Sequence, residues 1–187
     1  MTFSFHRGSV ALDFAGTVRS RASAAPEECL PDKEALRRWL EESGLSAEVR
    51  PGEADLVVAR RLREAIFQLF SDAIDGRRFD ADALALVNRA AEGLRLGAPR
   101  LDGRLRSRWV TEAPLALAFG RIAADAILQL SHQPDRLGRC AREGCGALIL
   151  SRSRGKRRKW CSMELCGNRA KVAAYRARSK SRRTRQR

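Results

Sequence analysis

Four cysteines, spaced Cys140-x4-Cys145-x15-Cys161-x4-Cys166, constrain this chain more than any other feature. Two close pairs separated by a longer stretch bring four thiolates to one tetrahedral ion economically, and zinc is the ion such sites take. In a reducing compartment a disulfide framework is disfavoured. Four buried free thiols would leave the pairing without a reason. The x4 gaps lie at the wide end of the usual range, so the intervening residues carry part of the argument. Ala147 to Ser151 and Arg157 to Cys161 read as two short strands about a turn at Gly155. Ser162 can then cap a helix that carries Cys166 in its first turns and runs to about Arg178. The segment's apolar residues, chiefly Leu148, Ile149, Leu150, Trp160, Leu165 and Val172, are too few for a core of their own. A unit this small folds with a metal or a disulfide. Four cysteines and no histidine leave no open coordination position, so the zinc is structural rather than catalytic. Cys29 stands apart from the cluster.

Charge separates the same segment from the rest. The net charge is +15, yet residues 1–138 balance 20 Lys+Arg against 20 Asp+Glu. Residues 139–187 carry 17 Lys+Arg against Glu143 and Glu164, so the whole excess sits there. A local imbalance of this size attracts polyanions, of which nucleic acid is the commonest. A solvated tail that merely aids solubility is the plainer alternative, but it does not explain why the charge is confined to one end.

The balanced part reads as mainly helical. Ser9 to Arg19 is ambiguous: Val10, Leu12 and Phe14 alternate like a strand, while Leu12, Ala15 and Val18 fit a helical face. Asp32 caps a helix with a stripe of Leu36, Trp39 and Leu40, which Gly44 ends. A longer helix spans about Glu53 to Ile74 and stops at Gly76, and a third follows Asp80. Residues 94–111 alternate around Pro99 and Asp102-Gly103 and predict a β-hairpin. Pro114 opens a helix ending near His132 that is apolar nearly all round and therefore central. The expected fold is a mainly α domain with one small β-hairpin (α+β), followed by a treble-clef-like zinc finger of β-hairpin plus helix. The expected divisions are 1–132 for the helical domain, 133–138 for a linker, 139–178 for the finger and 179–187 for a basic tail. No apolar run approaches the ~18 residues of a bilayer span. The first residues lack the features of a signal peptide. The expectation is a cytoplasmic protein without membrane contact.

Trp160-Cys-Ser-Met-Glu-Leu-Cys-Gly-Asn-Arg-Ala-Lys171 resembles the signature of the CGNR zinc-finger family, with the four letters at Cys166, Gly167, Asn168 and Arg169. Cys140-Ala-Arg-Glu-Gly-Cys145 matches its upstream pair. Leu12-Asp13-Phe14-Ala-Gly-Thr17 is similar to the family's N-terminal motif, although Ala15-Gly16 stands where Val-Asn is more usual. The resemblance covers nearly the whole chain and is strongest over residues 139–178. It implies a transcription regulator with an N-terminal ABATE-like domain suspected to sense a ligand and a zinc finger suspected to bind DNA. It implies an effector pocket beside Asp13, Phe14 and Thr17.

The cations available to a polyanion form two groups. Arg152, Arg154, Lys156, Arg157, Arg158 and Lys159 lie at the predicted turn. Arg169, Arg176, Lys180 and Arg183 share one face of the following helix if it persists, with Lys171, Arg178, Arg182 and Arg185 on the neighbouring face. Asn168 and Arg169 suit adenine and guanine edges, and equally suit bracing of the zinc loop. DNA is the expected partner. RNA and an acidic protein surface are the competing ones, and a small-molecule effector and a homodimer stay open. No catalytic constellation stands out: His6 and His132 are isolated, and no phosphate loop or nucleophile motif is present. A non-enzymatic role is expected.

Overall fold

The computed structural model describes residues 3–46, 49–104, 106–151, 157–173, 175 and 176. The ambiguous first segment is a helix, α1 (Val10–Ala15). The Ser9 side chain accepts the Leu12 amide, and Asp125 accepts the Ala11 amide at 2.8 Å, so two of the free donors at its start are satisfied. Ala11, Leu12 and Phe14 are wholly buried. Burial on every side is why neither a period of two nor one of 3.6 dominates the sequence there.

α1 packs against α3 (Glu53–Asp75) and α5 (Pro114–His132), with α2 (Lys33–Glu42) and α4 (Ala81–Ala91) on the flanks of α3. Asp32 and Asp80 cap α2 and α4 as expected. Gly76 closes α3 in the left-handed region at φ 65°. Phe14 lies 4.9 Å from Trp39, ring to ring, and Trp39 is wholly buried at the centre. Removing either ring from water contributes on the order of 2–3 kcal/mol. α5 meets the length and hydropathy expected of a membrane span, which corrects the reading that no run comes near one. It is a core helix, with Leu117, Phe119, Ile122 and Ala126 buried.

Two small antiparallel pairs sit on this core. β1 (Val18–Arg19) pairs with β2 (Glu27–Glu28). Buried Arg63 of α3 holds that ribbon through two bonds to Glu28, at 2.6 and 2.7 Å. β3 (Gly97–Leu101) pairs with β4 (Ser107–Thr111), the predicted hairpin, and Asp102 accepts the Arg104 and Arg106 amides in its turn. Between α4 and β3 a 3₁₀ turn, Glu92–Leu96, meets α5 backbone to backbone. A Cβ on Gly120 would stand 2.6 Å from the Leu94 nitrogen, so only glycine fits there.

Residues 133–138, expected as a linker, form a 3₁₀ turn at Pro134–Arg136 and lead into β5 (Leu137–Arg139). β5 pairs with β6 (Leu148–Leu150) in the register Leu137↔Leu150 and Arg139↔Leu148. The finger's hairpin is therefore formed by strands on either side of the first cysteine pair. The expected partner of Ala147–Ser151 was the segment ahead of Cys161, and residues 157–160 carry no strand. Leu137, Leu148 and Leu150 belong to the main hydrophobic core. That supplies the apolar packing which the cysteine segment lacks on its own.

Candidate metal centre and basic face

The first two cysteines sit at the tip of the β5–β6 hairpin. The Cys140 amide donates to the Ala147 carbonyl at 2.8 Å, and the Cys145 amide donates to the Arg142 carbonyl at 3.1 Å. Gly144 and Gly146, at φ 71° and 64°, turn the chain on both sides of Cys145. The second pair comes from the far side. Ser162 accepts the Leu165 amide and caps a wide π turn, Met163–Gly167, after which residues 168–173 continue as α-helix. Cys166 thus projects from the first turn, as the capping serine implied.

The four sulfur atoms lie within 4.8 Å of one another. Cys145 and Cys161 are separated by 3.8 Å, Cys166 and Cys145 by 3.7 Å, and Cys161 and Cys166 by 3.3 Å. A tetrahedral ion with bonds of about 2.3 Å to sulfur requires edges of about 3.8 Å, so the donor set suits a zinc ion with shifts of at most about 1 Å. Cys140, Cys145 and Cys166 are buried and Cys161 is partly so. Cys29 is buried in the main core instead.

Without metal the thiols compete for protons. The hydrogen bond with Cys161 holds Cys145 far below the ordinary thiol value, and burial only partly opposes it. The same bond, with burial second, pushes Cys161 up. Arg142, which the sequence did not single out, donates its Nε to Cys166 Sγ at 3.1 Å. Four thiolates outweigh the charge of one zinc ion, and a guanidinium on a ligand sulfur offsets part of the excess.

A family model described as "Putative stress-induced transcription regulator" (ABATE) matches residues 8–134, and the CGNR zinc finger matches residues 136–179. The chain belongs to the ABATE family. It carries a CGNR finger, whose metal is zinc. No curated protein matches the chain.

Within the CGNR finger, Arg157, Lys159, Asn168, Arg169, Lys171 and Arg176 are exposed. Arg152, Arg154, Lys156, Arg178 and Lys180 lie outside the described residues. Arg158 is used internally: its guanidinium donates to the Trp160 carbonyl at 2.7 Å and to the carbonyls of Cys161 and His6. Its position in a basic run hid that role. Arg169 lines a cleft of about 500 Å³ between the finger and the N-terminal segment, together with Arg7, Arg19, Glu27, Arg142 and Glu164.

The three residues expected to meet an effector fall in different settings. Asp13 is buried against Arg7, whose backbone amide donates to it at 2.9 Å and whose guanidinium lies 3.5 Å away. It borders a hollow of about 350 Å³ with Phe5, Ser9 and Glu42. Burial pushes the Asp13 carboxyl above its ordinary value, despite the opposing bonds from Arg7. Phe14 is packed in the core. Thr17 donates to the Phe14 carbonyl at 2.7 Å and accepts from Arg63, and borders a void of only about 10 Å³.

Proposed function

We propose that this ABATE-family protein regulates transcription by binding duplex DNA through its CGNR finger, with the helical domain sensing a small molecule. The zinc, when bound, crosslinks the hairpin tip to the finger helix and so fixes where that helix points. The observation that carries the reading is the division of the finger's charge. Its thiols are turned inward, while Arg157, Lys159, Arg169, Lys171 and Arg176 are exposed. On the same helix Val172 and Tyr175 are 48% and 67% exposed. A helix that is basic and unburied on several faces suits a groove, where cations meet phosphates and apolar groups meet base edges. The reading needs no catalytic chemistry and is that of a cytoplasmic protein.

Gel shift on duplex DNA at two salt concentrations, with and without chelator, tests it. Phosphate contacts lose affinity steeply with salt, and Lys171→Ala with Arg176→Ala should flatten the slope of log K against log[salt] by about two. Binding that ignores both salt and chelator would overturn the reading. Tighter binding to structured RNA than to DNA would move it to RNA, and binding to neither polyanion would leave an acidic protein surface as the partner.

A further inference from the structure

The helical domain holds a second hollow, away from Asp13 and from the finger. It measures about 490 Å³ and lies between α3, α4, the 3₁₀ turn and α5. Val58, Leu62, Leu86, Ala90, Leu96 and Phe119 make its walls apolar. Pockets of roughly 300–1,000 Å³ with apolar walls and a few polar groups are the usual form of small-molecule sites. Val58 and Leu96 are 48% and 49% exposed, so the hollow is open to solvent.

Three charged groups also line it: Arg89 from the last turn of α4, and Glu92 and Arg95 from the 3₁₀ turn. Both arginines are exposed, and among the described residues neither is engaged in an ion pair or hydrogen bond. Two cations against one carboxylate leave the rim positive above an apolar floor.

We propose that this pocket binds an apolar molecule bearing one acidic group, such as a medium-chain carboxylate. Its chain would lie on Leu62, Leu86 and Phe119, and its carboxylate would meet Arg89 and Arg95. α3 offers the route to the finger. Val58 and Leu62 line the pocket, and about 20 Å along the same helix, at 1.5 Å per residue, Ser71 and Asp75 meet Arg139 of β5. Only this last step rests on the domain's being a sensor.

Octanoate and 1-octanol serve as probes, titrated calorimetrically into zinc-loaded full-length protein. Wild type should bind octanoate saturably and about tenfold more tightly than octanol, the size of one charge-assisted hydrogen bond. Arg89→Ala with Arg95→Ala should remove that preference while keeping octanol binding. Ala90→Trp, which fills the pocket from α4, should abolish both. Failure of octanoate to bind, or binding unchanged in the double variant and in Ala90→Trp, overturns the pocket. Gel shift with and without octanoate reads the sensor role separately: octanoate binding that leaves DNA affinity unchanged retains the pocket and refutes the sensor.

Discussion

The Leu150 amide donates to the Arg7 carbonyl at 2.8 Å, across the point where Gly8 passes Leu150. The second strand of the finger hairpin is thus bonded to the segment that leads into α1. Arg139 adds an ion pair to Asp75 at 2.9 Å, and Arg158 reaches the His6 carbonyl. The finger's hairpin is part of the helical domain's core, and the four cysteines form a smaller cluster beside it.

That sharing predicts how metal loss is felt. Chelation, or Cys166→Ser, should lower the melting temperature of the whole chain in one transition, because Leu148 and Leu150 of the finger hairpin belong to the main core. Calorimetry with and without chelator checks this. Two transitions, the upper insensitive to chelator, would show instead that the helical domain stands alone. Gly8→Ala should act in the same direction by about 1–3 kcal/mol: its φ is 107°, and an added Cβ would stand 2.9 Å from that of Leu150.

Arg142→Ala should weaken zinc binding roughly tenfold or more, the usual cost of losing a group that orients or neutralises a ligand. Competition with a colorimetric chelator measures it. Cys29→Ser should leave one zinc per chain by elemental analysis.

Neighbouring arginines should behave differently. Arg157→Ala should reduce DNA affinity and its salt dependence with little change in melting temperature, since Arg157 is exposed. Arg158→Ala should lower the melting temperature, because three carbonyls lose their donor. Equal effects of the two on stability would contradict this assignment.

The Glu28–Arg63 pair gives a pH signature. Burial acts to raise the Glu28 carboxyl, but the bonds from Arg63 and the Leu30 amide, with the charges of Arg63 and Arg60, together outweigh it and hold the group below its ordinary 4.5. A carboxyl lowered in the folded state adds stability that is complete above the unfolded value and disappears as pH falls through the folded one. Glu28→Gln should therefore cost about 2 kcal/mol at pH 7, less than a fully buried pair because Glu28 is one-third exposed. The difference from wild type should vanish as pH drops well below 4.5. Asp13 works oppositely: raised above 3.8, it is protonated in the folded chain before the unfolded one, so through it acidification first adds stability. Urea titrations at several pH values separate the two.

Much of this was legible beforehand for physical reasons. Asp32, Asp80 and Ser162 cap helices through bonds that span three residues, and such local geometry is written in local sequence. The Asp102-Gly103 turn belongs to the same class. The zinc site was readable because a tetrahedral ion demands four donors in close pairs. α1 was not readable, because a segment buried on all faces loses its periodicity. Nor was the pairing of β6, because a three-residue strand can satisfy its amides with any neighbour the chain brings near.

By itself, then, the sequence determined the helical class of the N-terminal part, the four zinc ligands, the concentration of positive charge in the finger and the family. Each is set by residue type at short spacing. Only the tertiary structure decided that β6 pairs with β5, that the finger is rooted in the main core, that Arg158 is internal, and that Arg142 faces a ligand sulfur. It also decided that Phe14 is core while an apolar hollow opens beneath Arg89 and Arg95. These are contacts between residues far apart in the chain, and their energies depend on which surfaces the fold brings together, a quantity that no local pattern encodes.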